Sequence, residues 1–185
     1  MKKLLLSLVI FALLSGNAFS QEAEENQGFK GAWWGLAAAS YNKVEDVDAV
    51  YTILPAVGTF ISADVTVGAA IGYTNALGQD VFIVKPLLRK YYGVSDKFFL
   101  FLEGNVPLLF GEDFTGYGFN VEPGIDYFIG GKWTIEAKFG RFGYNSIKPD
   151  GGDATGKITF GFNMFDAQTQ EGLGAGLSLG LKYLF

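Results

Sequence analysis

The last thirteen residues, Leu173-Gly174-Ala175-Gly176-Leu177-Ser178-Leu179-Gly180-Leu181-Lys182-Tyr183-Leu184-Phe185, decide how the rest of the chain is read. The odd positions carry Leu173, Ala175, Leu177, Leu179, Leu181, Tyr183 and Phe185, six of the seven being large and apolar. The even positions carry Gly174, Gly176, Ser178, Gly180, Lys182 and Leu184. A period of two marks a strand with one apolar face and one small or polar face. A helix would lose about 1 kcal/mol at each of the glycines.

The same period recurs upstream. Val65, Val67, Ala69, Ile71 and Tyr73 alternate with Thr66, Gly68, Ala70, Gly72 and Thr74. Phe119, Val121, Pro123, Ile125 and Tyr127 alternate with Asn120, Glu122, Gly124 and Asp126, and Trp133, Ile135, Ala137 and Phe139 with Thr134, Glu136, Lys138 and Gly140. In a soluble sandwich the apolar face is the core and the polar face is wet. In a membrane barrel the arrangement inverts, with apolar residues on lipid and polar ones in the lumen.

Turn signals divide the chain into about eight segments: 28–42, 49–61, 65–75, 80–93, 97–109, 116–129, 132–145 and a last one ending at 185. Tight turns are expected at Ser62-Ala63-Asp64, Ser95-Asp96 and Gly130-Gly131. Longer links are expected at 43–48, 110–115 and 146–157, with 76–80 the shortest of that set. Short turns at one end and long loops at the other are the habit of outer-membrane barrels. The pattern predicts an all-β fold, an eight-stranded antiparallel up-and-down transmembrane β-barrel. Residues 158–172 have two readings: an eighth strand that begins above the membrane and bulges at DAQTQEG, or a separate hairpin arm.

The first 20 residues read as a signal peptide. Lys2 and Lys3 precede an apolar run from Leu4 to Leu14, and Ala18-Phe19-Ser20 supplies the small residues of a cleavage site. The run is far short of the roughly 20 residues that span a bilayer. The mature chain is expected to begin at Gln21, with 21–27 a flexible polar tail and 28–185 the barrel domain. Removing Lys2 and Lys3 from 14 basic residues leaves 12 against 19 acidic, a net of −7. No basic cluster remains for nucleic acid.

The chain has no His and no Cys, which removes Ser-His and Cys-His nucleophiles, the usual zinc sites, haem attachment and disulfides. No catalytic, cofactor-binding or metal-ligating residue is assigned. The loop KPDGGDATG, 148–156, lacks the carboxylate spacing of an EF-hand and reads as a surface turn.

With the apolar register on lipid, the opposite register puts Lys85, Arg89, Glu103, Glu122, Asp126, Glu136, Lys138 and Lys182 in the lumen. Four are basic and four acidic. An eight-stranded barrel is just wide enough for side chains to fill it, so equal counts point to an internal salt-bridge network and a plugged lumen. Glu103 is expected beside Lys85 or Arg89. Trp133, Tyr127, Tyr92, Tyr73 and Tyr183 fall near strand ends on the outward register, where amphipathic rings favour the headgroup level.

Four features resemble the bacterial outer-membrane β-barrel domain family of small eight-stranded, OmpA/OmpX-like proteins. They are Pro55-x-x-Gly58-x-Phe60 with a tight turn and Val67-Gly68; Pro86-x-x-Arg89 followed by Tyr91 and Tyr92; the aromatic-rich Phe98 to Leu102; and Gly180-Leu181-Lys182-Tyr183-Leu184-Phe185. The family usually places its aromatics directly after the Arg, whereas Lys90 intervenes here. The resemblance covers nearly all of 28–185. It implies the bacterial outer membrane, contact with outer-membrane lipid, and a C-terminal assembly signal at Tyr183 and Phe185 read by the barrel assembly machinery, with periplasmic chaperones acting during biogenesis. The expected role is that of a monomeric structural or surface-interaction protein acting through its outer loops. The rivals are a narrow pore, a lipid-acting envelope enzyme, for which the usual histidine base is missing, and a secreted soluble barrel.

Overall fold

A computed structural model describes residues 28–42, 50–76, 79–161 and 178–185. The strands are β1 (Trp33–Asn42), β2 (Val50–Ile53), β3 (Ala56–Phe60), β4 (Val65–Ala76), β5 (Gln79–Gly93) and β6 (Phe98–Asn105), followed by β7 (Leu108–Phe110), β8 (Phe114–Gly130), β9 (Trp133–Lys138), β10 (Arg141–Pro149), β11 (Thr155–Gly161) and β12 (Ser178–Leu184). The breaks fall at prolines or at a bulge. Leu54-Pro55 separates β2 from β3 and Val106-Pro107 separates β6 from β7, since proline has no N–H to give the ladder. Phe139-Gly140 separates β9 from β10, with Gly140 at φ 102°.

Joined across these breaks, the segments make eight antiparallel strands in a ring. β1 pairs with β2 and β3, these pair with β4, and β4 pairs with β5. The ring then runs from β5 through β6 and β7 to β8, and from β8 to β9 and β10. It closes where β12 pairs with β9 on one side and with β1 on the other, Trp34 facing Leu184 and Ala39 facing Leu179. Where β12 closes the ring, each strand is paired on both sides, the condition for strands to span lipid.

The interior is inverted relative to a soluble barrel. Among the described residues, 13 buried polar or charged residues stand beside 13 buried hydrophobic ones. Val57, Ile71, Leu88, Leu102, Ile135 and Leu181 point outward and are exposed. In β12 Leu179 is 54% exposed and Lys182 is 1% exposed, so the alternation of 178–184 puts leucines on lipid and lysine inside. A continuous apolar belt of this kind is untenable in water. Trp33, Tyr92, Tyr127, Trp133 and Phe185 cluster on the outward face at the end that carries the C-terminus, while Tyr51 and Tyr73 pack with tilted rings 6.0 Å apart at the other end.

At the terminal end, the turns at 61–64, 94–97 and 131–132 are tight. Ser62 Oγ accepts from the Val65 N–H at 3.1 Å, and Gly131 takes φ 54°. The opposite end differs from expectation. The link predicted at 110–115 contracts to 111–113, closed by Gly111 N–H to Phe114 O at 2.9 Å. The link predicted at 146–157 is mostly strand, β10 and β11 forming a hairpin that turns at 150–154. Ala76 faces Gln79, so the 76–80 link is also short. The extra length appears as strand: β8 has 17 residues, about 58 Å of chain at 3.4 Å each, more than a tilted strand needs to cross a belt about 25 Å tall. The sequence pattern hid this because Gly, Thr and Tyr at 114–118 serve strands and loops alike.

Of the two readings for 158–172, Thr155–Gly161 is strand β11 on β10, and β12 continues the same ring position on β9. Residues 162–177 lie outside the described residues, as do the signal peptide, the tail at 21–27 and the whole of the 43–48 link.

Candidate functional site

The lumen is the candidate site, and its filling changes along its axis. The terminal end is stoppered by rings. Phe29 stacks on Phe128 at 5.9 Å and meets Phe60 at 5.2 Å and Phe99 at 5.8 Å. Tyr91 lies between Phe60 and Phe101 at 5.5 and 5.6 Å.

Above the stopper lies the charge network. β5 carries Lys85 and Arg89, β6 Glu103, β8 Glu122 and Asp126, β9 Glu136 and Lys138, and β12 Lys182. All eight point inward because the pleat alternates and each charge sits in the register of its strand's small or polar face. Antiparallel pairing sets Arg89 directly opposite Glu103 and Asp126 opposite Glu136. Arg89 is fully buried and is the hub. Its Nε donates to Glu103 Oε2 at 2.6 Å, and its two terminal nitrogens donate to Glu136 at 2.5 and 3.0 Å. A planar guanidinium can hold two carboxylates at once in this way. Its Cζ also lies 5.1 Å from the Trp34 ring and 4.8 Å from that of Phe101.

Around the hub, Lys138 bridges Glu103 at 3.4 Å and Glu122 at 3.3 Å, and Lys85 contacts the same carboxylates at 3.3 and 3.9 Å. Lys182 pairs with Asp126 and donates to Tyr91 Oη at 3.0 Å. Asn105 donates to Glu103 Oε1 at 2.9 Å, and Asn120 and Asn145 exchange bonds at 3.1 and 3.3 Å. Among the described residues the buried side-chain polar atoms without a partner are Asp126 Oδ1 and Thr134 Oγ1.

The charge reading of the sequence misses Arg141, whose Nε donates to Glu122 Oε1 at 2.8 Å. Strict alternation from Trp133 would send Arg141 outward, but the bulge at Phe139-Gly140 shifts the phase by one residue: Val121 faces Phe142 while Gly124 faces Lys138, four residues against three. The glycine at 140, directly after the alternating run 133–139, was the available signal. Trp34 and Tyr91 were also missed as lumen residues.

The other wall, built from β1, β3 and β4, is apolar. Trp34 is fully buried and its Nε1 donates to Thr66 Oγ1 at 2.6 Å. Its ring lies flat on Gly58 and Gly68, where added Cβ atoms would come within 2.4 and 3.0 Å of it. Toward the end opposite the termini, a cavity of about 130 Å³ remains between the two walls.

Among the described residues the lumen holds paired charges, rings and a small cavity. The described residues offer a packed interior, with Lys85, Asn105, Asn120 and Asn145 on the polar side of the remaining space.

No protein-family description matches the chain, and no curated protein matches it. Solved structures do. A designed transmembrane β-barrel aligns at TM-score 0.53 and 10% identity over 84% of this chain and 97% of its own. The N-terminal β-barrel domain of Pseudomonas aeruginosa OprF aligns at 0.52 and 11% over 84% and 98%, and Neisserial surface protein A at 0.50 and 12% over 83% and 96%. At such identities the likeness is one of fold. The inverted interior, the apolar belt and these alignments agree: the chain is a small transmembrane β-barrel with the fold of outer-membrane barrels of the OmpA/OmpX-like kind.

Proposed function

We propose that the protein is a monomeric, non-conducting barrel of the bacterial outer membrane, with a structural or surface-interaction role exercised at the end opposite its termini. It carries no catalysis. The observation that supports this reading is the continuity of the filling: the ring stopper and the Arg89-centred network occupy the terminal half without a gap lined by charges of one sign, and ion pathways need such a lining. The outer surface consists of the β8, β10 and β11 strand ends and the links between strands. In this reading the signal peptide is removed before Gln21, periplasmic chaperones deliver the chain, and the assembly machinery reads Tyr183 and Phe185, whose rings pack at 5.3 Å on the outward face.

Planar-bilayer recording on the purified protein tests the proposal. Absence of steady conductance steps is the expected result. Reproducible unitary steps would replace it with the narrow-pore reading, which the cavity above the network favours. Intact-mass measurement on the same preparation is expected to give a chain starting at Gln21.

A further inference from the structure

The cavity has two unlike sides. Leu36, Leu54, Ala56 and Ala70 form one, and Lys85, Asn105, Asn120, Glu122 and Lys138 stand on the other, with Ile83 and Leu109 continuing the apolar lining next to Lys85 on β5 and β7. Lys85 and Lys138 are the ammonium groups on the cavity; Lys138 bridges Glu103 at 3.4 Å and Glu122 at 3.3 Å, and Lys85 is the more loosely held of the two. Glu103 is engaged by Arg89 at 2.6 Å and by Asn105 at 2.9 Å, and Glu122 by Arg141 at 2.8 Å and Lys138 at 3.3 Å. That leaves Lys85 with ion contacts of 3.3 and 3.9 Å, while its side chain is only 9% exposed. An ammonium has three donors, and buried donors seek short bonds.

We propose that this cavity binds a small amphipathic carboxylate, its carboxylate on Lys85 Nζ and its short apolar tail against the β1, β3 and β4 wall. A single ammonium suits a monoanion. A fully polar dianion such as phosphate would leave the apolar wall unused and would set twice the negative charge of a monoanion against Glu122, whose Oε2 lies 3.9 Å from Lys85 Nζ. An engineered cavity of about 150 Å³ takes benzene, so a ligand of about six to eight heavy atoms is enough to fill about 130 Å³. The network and the ring stopper form the floor, so the ligand occupies a dead end and need not cross the membrane. The site thus stands apart from the question of conduction.

The test is titration of the isotope-labelled full barrel in lipid nanodiscs with hexanoate and, separately, hexanol, followed by amide chemical shifts. Expected are saturable hexanoate shifts at Ala38, Ala56 and Ala70, with hexanol about tenfold weaker, the share a charge-assisted hydrogen bond supplies. Lys85→Met should bring the two ligands to equal affinity, and Ala70→Leu, which fills the cavity and leaves the charge, should abolish both. Equal affinities in the wild type would overturn the proposal, whether or not either variant folds. So would shifts confined to outward residues such as Leu179 and Leu181 that scale with lipid, the mark of partition into the bilayer.

Discussion

The two walls of the lumen solve the same filling problem by different physics. On β1, β3 and β4, one large ring lies over two glycines, and the fit is steric: Trp34 sits where Gly58 and Gly68 have no side chain. On β5, β6, β8, β9 and β12, long charged side chains reach across and neutralise one another, Arg89 binding carboxylates from two strands. The steric wall tolerates no added atoms, whatever the charge. The ionic wall does not tolerate the loss of one partner alone, because a lone charge in a poorly solvated interior is costly. Arg89 joins the walls by lying between the Trp34 and Phe101 rings, where its charge also meets their faces.

The largest expected effect is on the ionic wall. Arg89→Met leaves Glu103 and Glu136 without their shortest bonds and should cost about 3–5 kcal/mol of barrel stability, read from urea unfolding in lipid vesicles. Next comes the lipid face. Leu179→Arg should cost about 2–4 kcal/mol by the same assay, whereas Ser178→Arg, one residue away and facing inward, should cost less because it crowds the lumen without placing charge in hydrocarbon. A larger loss at 178 than at 179 would invert the assignment of faces.

On the steric wall, Gly58→Ala would bring a methyl within 2.4 Å of the Trp34 ring and 2.5 Å of Val67 O. It should cost about 1–3 kcal/mol. Replacing Trp34 by Leu in the same chain should return part of the loss, and neutralising a charge should return none. The smallest effect is expected at Lys90 and Asp64, an ion pair whose side chains are 41% and 44% exposed. Lys90→Gln should change stability by less than about 1 kcal/mol. A loss as large as that of Arg89→Met would erase the distinction between buried and exposed pairing.

The ionic wall was largely legible in the sequence and the steric wall was not. Charges at Glu122, Asp126, Glu136 and Lys182 interrupt apolar alternation, so each names its face. On β1, Trp33 and Trp34 are adjacent and Ala37, Ala38 and Ala39 run together, so period two has no contrast to show which face is inner. β5 is apolar on both faces, with Phe82 and Leu88 outward and Val81, Ile83 and Leu87 inward, and only Lys85 and Arg89 betray its register. Arg141 was lost to a one-residue bulge, which a count of alternating residues cannot see. The tight links opposite the termini were read as loops because glycine and aspartate mark short turns and long ones equally.

The buried charges stabilise the barrel only as a set. The most direct test is a double-mutant cycle on Arg89 and Glu136 by urea unfolding in lipid vesicles, comparing Arg89→Met, Glu136→Gln and the two combined. Charges that act as a set make the double variant more stable than the sum of the single losses allows, with a coupling of about 2–3 kcal/mol. Single losses that add to within about 0.5 kcal/mol would contradict it, because the two groups would then act independently.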